Sequence, residues 1–121
     1  MIKFKSLNQS RKFIEILKKK KLHTKYFTLY FSKNFKSSYS NNHKYLNISF
    51  VMKKNIGNAV IRNKIKRKLK AAVQKILSEK QIIDLNCTYV IFGKNNVYKD
   101  KFLLVLNEVD RAFKKVNHME I

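Results

Sequence analysis

The stretch from Lys53 to Lys70, KKNIGNAVIRNKIKRKLK, carries eight Lys or Arg and no acid. Through it and beyond it, Ile61, Ile65, Leu69, Ala72, Val73 and Ile76 recur at helical spacing. At about 100° per residue they fall within roughly 120° of arc, the width of a core-facing stripe. A helix over 59–79 is therefore under two demands. One side has to be covered by apolar protein. The other presents like charges at i,i+4, Lys64 with Lys68 and Lys66 with Lys70, which repel unless an outside anion lies against them.

The rest of the chain shows how that cover is supplied. Residues 1–9 read as a basic tail. Ser10 is a good helix cap, and Phe13, Ile14 and Leu17 form an apolar stripe, which predicts a first helix over 10–21 with Lys18 to Lys21 in its last turn. Residues 26–31, YFTLYF, and 46–52, LNISFVM, are rich in aromatic and β-branched residues and read as strands. Thr88 to Phe92 is a short apolar run suited to a buried central strand. Phe102, Val105, Leu106, Val109 and Phe113 mark a last helix over 99–115. Residues 33–45 are mostly polar and read as a loop. The order is α-β-β-α-β-α in one domain over 1–121. The simplest way to bury those faces is an α+β fold, a two-layer α-β sandwich. Pro is absent and only Gly57 and Gly93 are glycine, so turns must rely largely on Asn and Ser.

Charge narrows the partners. The net charge is +21, and residues 16–78 hold 17 of the 28 bases with no acid among them. A field of this size disfavours the compact state by self-repulsion and calls for a polyanion. At 45% hydrophobic residues the chain can still build a core, unlike a disordered polycation. No apolar run is long enough to span a bilayer, and the N-terminus lacks the pattern of a signal peptide, so a cytoplasmic location is expected. Cys87 is alone, and His23, His43 and His118 have no ligand-like spacing, so neither a disulfide nor a metal site is expected. No nucleophile, P-loop or acid–base constellation is visible. Arg62 and Asn63 lie early in their helix, where free amides and the dipole favour phosphate. An RNA-binding structural protein of the ribosome, a DNA-binding helix and a membrane-surface protein share parts of this pattern.

Arg62-Asn63-Lys64-Ile65-Lys66-Arg67 resembles the Arg-Asn-Arg motif of the bacterial ribonuclease P protein family. Its lead-in, Lys53-Lys54 and then Gly57-Asn58-Ala59-Val60, fits the same pattern. Ser10 to Leu17 resembles the family's first helix, Phe27-Thr28-Leu29-Tyr30 its first strand, and Tyr89 to Lys94 the strand before its last helix. Four positions depart from the family. Lys64 stands where Arg is usual, Leu17 where an aromatic is common, and Gly93-Lys94 where Ala-Arg is usual.

The resemblance implies a ribosomal protein S5 domain 2-like fold with a left-handed βαβ crossover, an exception to the usual hand. It implies a protein that partners a catalytic RNA in removing the 5′ leader from precursor tRNA. Mg2+ would be bound mainly by that RNA, no catalytic residue would lie in the protein, and no membrane or stable protein partner is implied. Arg62, Asn63, Lys64, Lys66, Arg67 and Lys70 would face the catalytic RNA. Phe13, Leu17, Tyr30 and Phe92, with Lys53, Lys54 and Lys94 at the edge, would form the leader-binding cleft.

Overall fold

The computed structural model describes residues 2–7, 10–33 and 45–119. The elements are β1 (Lys3–Lys5), α1 (Ser10–Leu17), β2 (Lys20–His23), β3 (Phe27–Lys33), β4 (Tyr45–Val51), α2 (Ala59–Glu79), β5 (Cys87–Gly93), α3 (Asn96–Lys99) and α4 (Phe102–Met119), with a single 3₁₀ turn at Lys54–Ile56. The strands form one sheet in the order β1-β4-β5-β3-β2. β5 is central, as its apolar run predicts. It pairs parallel with β4, through α2, and antiparallel with β3. The α-β-β-α-β-α order stands, with two short edge strands and a short helix added to it.

Alternation along the strands sorts residues onto two faces. Phe27, Leu29 and Phe31 of β3 lie opposite Gly93, Ile91 and Tyr89 of β5, and Ile48 of β4 lies beside Tyr89. Under α2 and α4 this face forms the main core, with Ile65, Leu69, Val73, Val105, Val109 and Phe113 fully buried. Tyr89 and Phe113 meet edge to face at 5.1 Å. The apolar stripe of α2 is thus consumed by protein, as its spacing requires.

The other face carries Thr28, Tyr30 and Ser32 of β3 and Thr88, Val90 and Phe92 of β5. It is covered in part by α1, which lies against β3 and β2. Ile16 and Val90 are buried there, outside the main core.

Five expectations are corrected. Residues 3–5 are not tail: they pair parallel with Tyr45 to Asn47, and Phe4 packs on Phe50 at 5.9 Å. The first helix stops at Leu17, closed by i→i−3 bonds from the Lys18 and Lys19 amides. Lys20–His23 is a strand paired with Phe31 to Thr28, and its Leu22 joins the core, so long-range pairing overrides the helix preference of a lysine run. In α1, Ile16 is buried while Ile14 is 53% exposed, so the stripe turned to the sheet is Phe13, Ile16 and Leu17 at i, i+3 and i+4, with Phe13 and Leu17 half-buried. The last helix runs three residues later at its start and four at its end than its spacing predicts. Residues 34–44 of the expected loop lie outside the described residues.

The described turns use Thr and Asp more than Ser. The Thr24 hydroxyl accepts from the amides of Tyr26 and Phe27 and donates to the Phe27 carbonyl, closing the β2–β3 hairpin. The Asp84 carboxylate accepts from the Asn86 amide at 2.8 Å before β5. Asn58 caps α2 as expected, accepting from the Ile61 amide at 3.0 Å.

A phenol–carboxylate bond pins the hairpin to the start of α4: the Tyr26 hydroxyl donates to Asp100 Oδ2 at 2.5 Å. That bond, with burial, pushes the Tyr26 phenol up to about 12. The same bond, helped by Lys25 and Lys68, holds the Asp100 carboxyl below its usual value. The carboxylate's contribution is present above about pH 4 and is lost as pH falls through its lowered value. The phenol's is complete below about pH 10 and is lost as pH rises through about 12. Tyr26→Phe is expected to lower the melting temperature at pH 7. The gap from wild type should close as Asp100 becomes protonated, which thermal melts between pH 2 and pH 7 will show.

Candidate nucleic-acid interface

Two surfaces carry the chemistry, and one loop joins them. The first is the open sheet face. Tyr30 and Phe92 lie on neighbouring strands with ring centroids 5.5 Å apart, edge to face. Phe13, from α1, stands 6.3 Å from Phe92. All three rings are half-buried, so one side of each group reaches solvent. The Lys53 ammonium lies 6.0 Å from the Phe92 centroid, and the Lys21 ammonium 6.0 Å from that of Tyr30. Rings flanked by ammonium groups on a shelf form a platform on which bases can stack while the cations meet phosphates. Leu17 is half-buried at the end of α1 and brings no ring.

Lys21 and His23 were missed in the sequence because both fall at the edge of or beyond the expected helix. His23 Nδ1 is 2.9 Å from the Thr28 hydroxyl on the same face. The signal was there: Lys21 out, Leu22 in, His23 out is strand alternation. Lys94, expected at the cleft edge, is half-buried, and its ammonium donates to the Thr24 carbonyl at 2.6 Å, tying β5 to the hairpin. The Lys54 side chain is exposed.

The second surface is the outer side of α2. At about 100° per residue, Asn63, Lys66, Arg67 and Lys70 share roughly 100° of arc on one flank. All four are exposed. Lys64 falls on the opposite flank, where its ammonium lies 5.9 Å from the Tyr98 ring. Lys68, beside it, donates to the Asp100 carbonyl. The expected six-residue set is therefore split. The ion pairs among the described residues lie elsewhere: Lys25–Asp100, Lys75–Glu79, Lys80–Asp110, Arg111–Glu108 and Lys114–Asp110. The motif cations have no carboxylate against them among the described residues.

Arg62 has a different place. It is half-buried, and its Nη1 donates to the Gly57 carbonyl and, at 3.4 Å, to that of Lys54. It thus clasps the 3₁₀ turn between β4 and α2. Gly57 has φ +150°, a left-handed value that favours glycine, and a Cβ there would come within 3.3 Å of Ile61. The turn follows directly on Lys53, so Arg62 at the head of α2 steadies the residue that reaches over Phe92. At Gly93 a Cβ would fall 2.6 Å from Met52 Sδ and 3.0 Å from Ile65 Cγ2, so glycine lets β5 approach the β4 end and α2 closely.

Among the described residues, no three His, Cys, Asp or Glu side chains gather where a metal ion could be held. No described helix is long and apolar enough to cross a membrane.

The fold and these surfaces define a class: small, basic α+β proteins with one sheet face buried under helices and the other open, its rings set beside cations and an unpaired basic helix. A family model described as Ribonuclease P matches residues 1–117, and the chain belongs to that family. Curated relatives agree. The ribonuclease P protein component of Mesoplasma florum is 32% identical over 102 residues, 81% of this chain and 82% of that protein. That of Paramagnetospirillum magneticum is 28% identical over 75 residues, 62% of this chain and 55% of that protein's length. Among solved structures, a mutant RNase P protein from Staphylococcus aureus superposes with TM-score 0.72 at 21% identity, over 93% of this chain and 87% of that one. The RNase P protein from Thermotoga maritima gives 0.67 at 23%, over 92% and 96%. These two likenesses show the fold.

Proposed function

We propose that this chain is the RNA-binding protein subunit of ribonuclease P, one domain that assists a catalytic RNA in endonucleolytic removal of the 5′ leader from precursor tRNA. The observation that carries the reading is the meeting of Phe13, Tyr30 and Phe92 with Lys21 and Lys53 on the open face. Three or so bases of a single strand can stack there, each for about 1–3 kcal/mol and with little sequence preference. The exposed flank of α2, with Asn63, Lys66, Arg67 and Lys70, would lie against the folded RNA and displace its counterions. Lys64 would reach it from the other flank, and Arg62 would act mainly by holding the Lys53 turn. Lys53 and Lys54 stand between the two surfaces, where leader and catalytic RNA would converge.

In this reading the chemistry belongs to the RNA, and Mg2+ serves at its active site. What the protein adds is positive charge between two polyanions, so that fewer Mg2+ ions are needed to hold them together. A cytoplasmic location goes with this function. Mixing the protein with a cognate ribonuclease P RNA and a precursor tRNA at low Mg2+ tests it. Leader cleavage is expected to rise well above that of RNA alone. No gain across a Mg2+ titration would overturn the proposal.

A further inference from the structure

Beyond the ring row, at the far end of the sheet from Phe92 and Lys53, lies a cavity of about 380 Å³ lined by Lys18, Lys19, Lys20, Phe31, Ser32 and Lys33. Four of its six lining residues are lysines, and none is an acid. Chain geometry explains the gathering. The tight close of α1 at Leu17 turns Lys18 and Lys19 toward the sheet, and β2 pairing sets Lys20 opposite Phe31. The Lys20 ammonium is engaged, donating to the Met119 carbonyl at 2.7 Å. Lys18, Lys19 and Lys33 are exposed, with no carboxylate against them among the described residues. Like charges crowded at a concave wall raise the potential there and favour an anion.

The cavity also has a fixed relation to the stacking platform. Thr28, Tyr30 and Ser32 alternate along β3 on the open face, so Ser32 at the cavity wall stands about 7 Å beyond Tyr30. A strand whose bases stack on Phe92 and Tyr30 and that keeps to the line of β3 meets the cavity at Ser32, its wall on the ring face, while Phe31 and Lys20 line it from the helix-covered side. We propose that this cavity is a second phosphate site, taking the phosphodiester groups of an RNA strand that continues past the ring row. The inference rests on the reading of the open face as an RNA cleft. It extends that cleft from the rings to the end of β3.

The test uses the full chain and its Lys18→Gln, Lys33→Gln double variant, with labelled oligouridylates of four and ten nucleotides and, separately, the catalytic RNA. Neither lysine side chain bonds to the fold among the described residues, and unchanged melting temperatures will confirm intact folding. The variant should lose roughly tenfold in affinity for the ten-nucleotide strand at low salt and hold its affinity for the four-nucleotide one. The slope of log affinity on log salt for the long strand should shrink by about 1.4, or 0.7 per phosphate contact. A loss confined to the catalytic RNA, with the ten-nucleotide strand unaffected, overturns the proposal, because the cavity would then not continue the ring row. Equal losses at both lengths, or none in any arm, overturn it. If the wild-type chain itself binds neither oligouridylate, the open-face reading fails, and the cavity as its continuation fails with it.

Discussion

Phe92→Ala is expected to weaken binding of a precursor tRNA leader by ten- to hundredfold and to leave affinity for the catalytic RNA nearly unchanged. The ring sits at the junction of the open face, within 6.3 Å of Phe13, 5.5 Å of Tyr30 and 6.0 Å of the Lys53 ammonium. Losing one stacked base costs about 1–3 kcal/mol. Removing Phe92 also takes the shared wall from the other two rings. Because Phe92 is only half-buried and lies outside the main core, the fold should tolerate its loss better than that of Phe27 or Phe113. Phe92→Leu separates stacking from packing. It should recover most of the melting temperature and little of the leader affinity. Leader-length competition, with a leaderless tRNA as reference, measures the effect. Equal weakening for the leaderless substrate would place Phe92 away from the leader.

The second large effect divides two arginines of one motif. Arg67, exposed beside Lys66 and Lys70, should act through phosphate alone. The triple variant Lys66→Ala, Arg67→Ala, Lys70→Ala is expected to lower affinity for the catalytic RNA by at least a hundredfold at low salt. The salt slope should fall by about 2–3, with melting temperature nearly unchanged. Arg62→Ala should behave otherwise. Its guanidinium bonds the carbonyls of Gly57 and Lys54, so its removal frees the turn that positions Lys53. A lower melting temperature, a weaker leader interaction and a slope change under 1 are expected. Salt titrations of both variants against catalytic RNA and leader distinguish the two roles. A full unit lost from the slope by Arg62→Ala with no loss of stability would show that Arg62 meets phosphate instead.

The helical period of Ile65, Leu69, Val73 and Ile76 made α2 legible to the residue, because an amphipathic stripe 21 residues long has no strand-like alternative. The aromatic strands were legible for the same kind of reason. The edge strands were not. Lys3–Lys5 and Lys20–His23 have three or four residues each, two of them lysine in either strand, so their strand character exists only through pairing with β4 and β3. Phe13, Tyr30, Phe92 and Lys53 could be placed together from the resemblance. Their actual distances depend on a sheet register that no local signal encodes. Arg62 is the instructive case: type and position suit phosphate, yet the unsatisfied carbonyls of a glycine turn one helical turn away take its guanidinium. Lys94 follows the same logic at the Thr24 carbonyl.

Among the described residues the sheet ends on both sides in these lysine-bearing strands, Lys3 and Lys5 on one border, Lys20 and Lys21 on the other. An open border of unpaired backbone groups is an invitation to another strand, and charged lysines are a common way of refusing it. Lysines that would draw a polyanion to the molecule would therefore also keep copies of it apart. That second service depends on the same long-range repulsion, which salt screens. Strong salt, the usual means of stripping nucleic acid from a basic protein, would blunt the protection of the borders in the same step.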